Sequence, residues 1–209
     1  MNSALLSSTY FGPVQWYQKL ARYDEVWLEE HDSYQKQTYR NRCVIATAQG
    51  TQTLTVPVER DGGGRARISD HGNWRRLHWH ALVSAYSESP FFDYYADDLR
   101  PFFERRWTWL YDFNRDICRT VCALLDIRPT LRLTESYQKA PGMDDFREAI
   151  SPKHPAPDPD FDARPYYQVF ARRHGFTPNL SVLDLLFNMG PEGIFWLVKS
   201  PAVRHPPSP

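Results

Sequence analysis

Residues 4–29 read Ala4-Leu-Leu-Ser-Ser-Thr-Tyr-Phe-Gly-Pro-Val-Gln-Trp-Tyr-Gln-Lys-Leu-Ala-Arg-Tyr-Asp-Glu-Val-Trp-Leu-Glu29 and predict a strand, a helix and a second strand. The apolar run at 4–10 stops at a Phe-Gly-Pro turn, and apolar residues then recur at helical spacing over 14–21. A second apolar run covers 25–29. Strand, helix and strand in this order normally place the strands parallel, with ligand sites at their carboxyl ends. We therefore expect an α/β fold with an N-terminal β-α-β, Rossmann-like sheet.

The segment directly after the second run concentrates polar groups in the sequence His31-Asp-Ser-Tyr-Gln-Lys-Gln-Thr-Tyr-Arg-Asn-Arg-Cys43. It lies where the chain would leave the carboxyl end of a strand, a position that commonly holds ligands. Arginine forks and amides suit an anionic, oxygen-rich ligand such as a phosphate or a carboxylate. The alternative is a solvated turn with ordinary surface charges.

Composition limits the classes of ligand. The chain has 209 residues, and a hydrophobic content of 42% is enough for a substantial core. Lys plus Arg and Asp plus Glu both number 25, so no overall basic field favours nucleic acid and any site for an anion must be local. Aromatic residues reach 15%, which fits a thick core, a stacking platform or a partner surface.

The sequence also favours a cytoplasmic, water-soluble protein. Its three cysteines are an odd number without metal-type spacing, which suits a reducing compartment. The N-terminus lacks the charged and apolar regions of a signal peptide, and no run approaches the roughly 20 apolar residues that cross a bilayer.

Helices dominate the chain after a predicted hairpin at 43–58. From Asn73, a candidate N-cap, apolar residues and His78 repeat at three- and four-residue steps. His78 is then either a buried structural histidine or a base that points into a cleft. Two further helical regions are predicted: one rich in aromatic residues at about 91–110, and another at about 109–125.

We expect four parts along the chain. Residues 1–138 form an α/β core with a helical extension, and the proline-rich segment 139–165 is a linker or lid. Residues 166–199 form a C-terminal helical unit that packs on the core, with one helix at 167–174 and a second that begins after Ser181. Residues 200–209 form a disordered tail.

The common catalytic signatures are missing from the sequence. It contains no Walker phosphate loop, no Gly-rich dinucleotide fingerprint and no nucleophile elbow. His78 and His80 would point about 200° apart on a helix, so we expect no metal site. Cys43 could act as a thiolate but is more typical of a buried strand residue. The cofactor remains unknown at this stage.

Four blocks of sequence stand in order along nearly the whole chain: Tyr10-Phe-Gly-Pro-Val-Gln-Trp-Tyr-Gln-Lys-Leu-Ala21, Tyr34-Gln-Lys-Gln-Thr-Tyr-Arg-Asn-Arg-Cys43, Ser84-Ala-Tyr-Ser-Glu-Ser-Pro-Phe-Phe92 and Gly175-Phe-Thr-Pro-Asn-Leu-Ser-Val-Leu-Asp-Leu-Leu-Phe-Asn188. Together they resemble the WbqC-like proteins. Trp74 and His78 fit the family's Trp-x-x-x-His pattern, whereas Gly12 stands where many members have proline.

The resemblance implies a role in amino-sugar modification for O-antigen or another surface polysaccharide, including lipopolysaccharide. We expect an acyl or aminoacyl transferase, of a glycyl type, that acts on the amine of a nucleotide-linked amino sugar or another phosphorylated small molecule. His31 or His78 would be the base, because imidazole titrates near the working pH. The expected substrate-binding residues are Tyr34, Gln35, Lys36, Arg40, Asn41, Arg42, Trp74 and Tyr86. Lys36 and the two arginines would hold phosphate, and the two amides would orient sugar hydroxyls.

Two other functions stay open from the sequence. The protein could be a non-catalytic binding or scaffold protein for polysaccharide-assembly enzymes, with the aromatic residues at an interface. It could also be a nucleotidylyltransferase-like enzyme, although the His-x-Gly-His signature of that class is absent. The oligomeric state, the sugar and the acyl donor are not determined by the sequence.

Overall fold

The N-terminal β-α-β unit forms as predicted. A computed structural model describes residues 2–32, 34–60, 65–137 and 142–198. Strand β1 (Ser3–Ser7) leads through a turn into helix α1 (Val14–Arg22) and then strand β2 (Glu25–Glu29). The two strands pair in parallel, with Ser3 opposite Glu25 and Ser7 opposite Glu29. Their carboxyl ends therefore lie side by side.

Two short antiparallel pairs follow the sheet's first strands. Strands β3 (Arg42–Thr47) and β4 (Gly50–Thr55) form the predicted hairpin. Strands β5 (Val58–Arg60) and β6 (Ala66–Ile68) form a second pair. Gly50 has a φ of 120° at the tight turn of the first hairpin, a conformation that glycine adopts without strain.

The aromatic-rich half consists of four helices. They are α2 (Trp74–Tyr86), α3 (Phe92–Leu99), α4 (Pro101–Glu104) and α5 (Leu110–Leu124). The predicted capping role of Asn73 is wrong, because its side chain makes no capping hydrogen bond. Its φ of 51° is left-handed, whereas an N-cap residue that accepts from the first turn normally has extended backbone angles.

Two later strands complete the parallel sheet. Strand β7 (Leu131–Leu133) pairs in parallel with β2, and the two-residue strand β8 (Asp144–Asp145) pairs in parallel with β1. The sheet order is β7-β2-β1-β8. Strand β8 belongs to the segment in which composition indicated a linker or lid. All four carboxyl ends meet at one edge of the sheet.

The C-terminal unit contains helices α6 (Ala171–His174), α7 (Val182–Met189) and α8 (Ile194–Leu197). The first is shorter than the predicted helix at 167–174. The Ser181 side chain caps α7 by accepting a hydrogen bond from the Leu183 amide at 3.3 Å. The Val182 amide donates to the Gly12 carbonyl at 2.9 Å, so the start of α7 is tied to the turn after β1. The predicted tail at 200–209 lies outside the described residues.

The fold class is thus the predicted one: a mixed α/β protein with a parallel sheet, an aromatic-rich helical half and C-terminal helices. Tyr10, Phe11, Phe113 and Phe187 are fully buried in the core that joins these layers. No helix within the described ranges is long and apolar enough to span a bilayer.

Candidate active site

A cleft opens at the carboxyl edge of the parallel sheet. Its volume is about 610 Å³, and it is lined by His31, Asp32, Gln35, Tyr137, Asp145, Arg147 and Glu148. These residues end or follow strands β2, β7 and β8, and the carboxyl ends of parallel strands are where such sheets usually hold ligands. A smaller pocket of about 40 Å³ shares Gln35, Arg147 and Glu148 with the cleft and extends to Ser8 and Thr9 after β1.

Glu29, the last residue of β2, lies fully buried below the cleft. One carboxylate oxygen accepts hydrogen bonds from the His31 amide at 2.7 Å and from the Thr134 hydroxyl at 2.9 Å. The other accepts from Arg147 Nη1 at 2.9 Å. Arg147 also donates to both carboxylate oxygens of Asp145, at 2.7 to 3.2 Å. The ends of three strands are therefore joined by one ionic cluster, in which Glu29 and Arg147 are buried and Asp145 is exposed.

A second buried cluster centres on Asp32. Its carboxylate accepts from Arg40 Nε at 2.9 Å and also forms a short ion pair with Arg40 Nη2. The same Arg40 nitrogen donates to the Ser7 hydroxyl at 2.8 Å, and the Tyr111 hydroxyl donates to Asp32. Burial raises the pKa of Tyr111 well above its ordinary value, and the adjacent Asp32 charge raises it further. Tyr111 therefore stays a donor to this carboxylate.

The charge of Arg147 and Asp145 is fixed by their contact. Burial alone would raise the pKa of Asp145, but the hydrogen bonds from Arg147 outweigh it and hold the pKa below its usual range. The hydrogen bonds to Asp145 raise the pKa of Arg147 in turn. Arg147 also lies over the ring of Tyr137, with 4.8 Å between the guanidinium carbon and the ring centroid.

Glu148 is the carboxylate of the cleft with the weakest pairing. Its side chain is 73% exposed and its nearest cation, Arg40, is 3.9 Å away. Its one close donor among the described residues is Gln35 Nε2 at 3.2 Å. Glu148 is therefore available to a cationic group of a ligand.

His31 presents one ring nitrogen for proton transfer. Its Nε2 lies 2.9 Å from the carbonyl oxygen of Thr134. Because a carbonyl only accepts, Nε2 carries the hydrogen, and in the neutral ring Nδ1 keeps the lone pair. The His31 side chain is exposed and lines the cleft.

His78, the other predicted base, lies inside the core. Its Nδ1 is 2.9 Å from the Tyr10 hydroxyl, and its ring packs edge-on against Trp74. Burial lowers the pKa of His78 to about 4, although a hydrogen bond with the Thr55 backbone acts in the opposite direction. His78 is therefore neutral near neutral pH and does not line the cleft or the smaller pocket.

The predicted binding residues separate into two groups. Gln35 lines both cavities, and Arg40 lines the smaller pocket. The others line neither cavity: Tyr34, Lys36, Asn41, Arg42, Trp74 and Tyr86. Of these, Lys36 is exposed, and the remainder are buried or half-buried.

Three of the buried residues use side-chain polar atoms for hydrogen bonds within the protein, although Asn41 Oδ1 has no partner among the described residues. Asn41 Nδ2 donates to the Val56 carbonyl at 2.8 Å, and the Trp74 indole donates to a backbone carbonyl at 3.0 Å. The Tyr86 hydroxyl donates to Asp184 at 3.0 Å and accepts from the Ala46 amide at 3.2 Å.

Several residues in or below the cleft were not predicted from the sequence. Glu29 carried one usable signal, because a charge at the end of an apolar buried strand needs a partner. Asp145, Arg147 and Glu148 lie in the segment expected to be a linker or lid, and β8 is too short for a strand pattern. Within the described ranges, no group of three or more His, Cys, Asp or Glu side chains could hold a metal ion.

A family model described as the WbqC-like protein family matches residues 8–151. The chain belongs to this family. The matched region contains every residue that lines the larger cleft, whereas the C-terminal helices lie outside it. The WbqC-like chain is also similar to an uncharacterized protein of Mycobacterium tuberculosis, with 30% identity over 90% of this chain and 94% of that protein. No solved structure matches the chain at a significant level.

Proposed function

We propose that this WbqC-like protein transfers an acyl or aminoacyl group to the amine of a nucleotide-linked amino sugar, and that the reaction takes place in the cleft at the sheet edge. The supporting observation is the lining of the cleft. It combines three carboxylates and one guanidinium with an imidazole whose Nδ1 is a proton acceptor. Because carboxylates outnumber the guanidinium in this lining, the cleft favours a cationic amine over an anionic group.

The amine of the sugar would bind at Glu148. Asp32 and Asp145 are paired with arginines at close range, so Glu148 is the carboxylate with most to gain from an ammonium group. The ammonium must lose one proton before it can attack, and His31 Nδ1 is the acceptor. The nitrogen lone pair then forms a bond to the carbonyl carbon of an activated acyl donor. The leaving group departs with the electron pair of the broken bond and takes up the second proton, which the nitrogen releases when the amide forms.

His31 suits this role better than His78. The two residues were equal candidates by sequence, but His31 lines the cleft, whereas His78 is 6% exposed and its Nδ1 is engaged with the Tyr10 hydroxyl in the core. A general base must come within hydrogen-bond reach of the proton it removes. We therefore assign the role of general base to His31.

The diphosphate of the nucleotide would contact Lys36. Arg40 and Arg147 hold buried carboxylates, so their charges are largely neutralised before a ligand arrives. Lys36 is exposed, follows Gln35 in the chain and forms no ion pair with the residues that the structure describes. It can therefore turn toward a phosphate at the mouth of the cleft.

Calorimetric titration with UDP-glucosamine and UDP-glucose tests the assignment of the amine. We expect UDP-glucosamine to bind more tightly, and Glu148→Gln to weaken it by roughly five- to tenfold, because the bound ligand excludes water from a pair worth up to about 1 kcal/mol on an open surface. UDP-glucose should bind equally to both proteins. Glu88→Gln, at an exposed glutamate outside the cleft, is the matched control.

Turnover distinguishes an enzyme from a binding protein. Incubation of the protein with UDP-glucosamine and a panel of acyl thioesters or acyl adenylates should give an N-acylated sugar, detected by mass spectrometry. Binding without product would favour the scaffold alternative. Equal affinity for the amino sugar and its hydroxyl analogue would refute the assignment of the cleft to an amine.

A further inference from the structure

The fully buried carboxylate of Glu29 connects two groups of the cleft that no contact joins directly. It lines neither cavity, so it does not touch a ligand. Its oxygens accept from the ends of three strands: the His31 amide after β2, the Thr134 hydroxyl after β7 and Arg147 after β8.

The first connection fixes the His31 ring. The Glu29 carboxylate accepts hydrogen bonds from the His31 backbone amide and from the Thr134 hydroxyl. The Thr134 carbonyl in turn accepts a hydrogen bond from His31 Nε2–H. The Thr134 amide also donates to the Leu28 carbonyl at 3.1 Å, so both the backbone and the side chain of Thr134 are bound to β2. A chain of two hydrogen bonds therefore runs from the Glu29 carboxylate through Thr134 to His31 Nε2.

The second connection fixes Arg147. Asp145 binds its Nε and Nη2 edge, and Glu29 binds Nη1 from below. The guanidinium plane is thereby held against Tyr137 at the cleft wall.

We propose that Glu29 is a positioning residue that fixes the Nε2–H tautomer of His31 and the orientation of Arg147 together. This inference rests on the proposed function, in which His31 is the base. Both oxygens of Glu29 must accept. A glutamine has one accepting oxygen and one donating nitrogen, so it can satisfy the Thr134 and His31 donors or Arg147, but not both.

The tautomer can be measured by ¹⁵N NMR of the imidazole rings in the full chain, without any ligand. We expect His31 to be Nε2-protonated in the wild type. In Glu29→Gln the ratio of the Nε2-protonated to the Nδ1-protonated form of His31 should fall by roughly 3- to 10-fold. It should approach the ratio found for the exposed His71. Glu30→Gln, which removes a half-buried carboxylate paired with Arg115 at 3.2 Å, is the matched control and should leave the ratio unchanged.

A second variant covers the case in which Glu29→Gln does not fold. Thr134→Val keeps the shape of the side chain but removes the hydroxyl link, and we expect it to change the His31 ratio in the same direction. Thr134→Ser, which retains the hydroxyl, should keep the wild-type tautomer ratio of His31. An unchanged ratio in Thr134→Val, or in folded Glu29→Gln, overturns the inference. Because no sugar or acyl donor takes part, failure of the proposed reaction leaves this result interpretable.

Discussion

Asp184 should make the protein less stable as the pH rises from acid toward neutral. This residue of α7 is fully buried, and its carboxylate accepts from the Tyr86 hydroxyl at 3.0 Å, the Tyr166 hydroxyl at 2.8 Å and Gln168 Nε2 at 2.8 Å. Burial raises the pKa of Asp184 from 3.8 to about 6, although the three hydrogen bonds act to lower it.

The direction of this stability change follows from the pKa of Asp184 in the unfolded chain, 3.8, and in the folded chain, about 6. Below 3.8 the carboxyl is protonated in both the folded and the unfolded chain and makes no difference. As the pH rises, the unfolded chain ionises first and is stabilised, so the free energy of unfolding falls until the folded chain also ionises near pH 6. The full loss is about 3 kcal/mol, of which about 2 kcal/mol falls between roughly pH 4.5 and 7.

Urea denaturation of wild type and Asp184→Asn across this pH range measures the effect. Asparagine does not titrate, so the stability of wild type minus that of the variant should fall by about 2 kcal/mol with rising pH, while contributions from distant groups cancel. The lost acceptor adds a constant cost to the variant of about 1 to 3 kcal/mol. Asp97→Asn, at an exposed aspartate of α3, is the control for a lost carboxylate. A difference that stays level with pH would refute the reasoning.

Two further predictions concern buried polar groups. Arg40→Ala should cost about 3 to 5 kcal/mol in urea denaturation because it leaves Asp32 buried without its ion pair, whereas Lys36→Ala, at an exposed site, should change stability by less than about 0.5 kcal/mol. Comparable stability of the two variants would contradict the buried pair. His78→Gln should melt several degrees lower yet bind UDP-glucosamine like wild type, because the ring is hydrogen-bonded within the core. A normal melt with weaker binding would place His78 at the ligand.

The polar block after β2, residues 31–43, shows which properties of a site can be predicted from local sequence. Its position beside the carboxyl ends of parallel strands followed from the β-α-β pattern, and His31, Gln35 and Arg40 do line the two cavities. The sequence did not predict which of these charges remain available to a ligand. Arg40 has the residue type of a phosphate ligand, but folding places Asp32 against it at short range. Whether a cation is free depends on its neighbours in space, which residue type does not reveal.

The amino-acid sequence by itself determined the local elements: the first strand, helix and second strand, the hairpin, the helical half and the Ser181 cap. These depend on side-chain period and on hydrogen bonds between residues close in the chain. Only the tertiary structure decided that Asp144–Asp145 joins the sheet and brings Arg147 to Glu29, a contact between residues far apart in the chain. A two-residue strand has no period to detect. Its place is fixed by backbone pairing with β1 and by the need of a buried carboxylate for a cation.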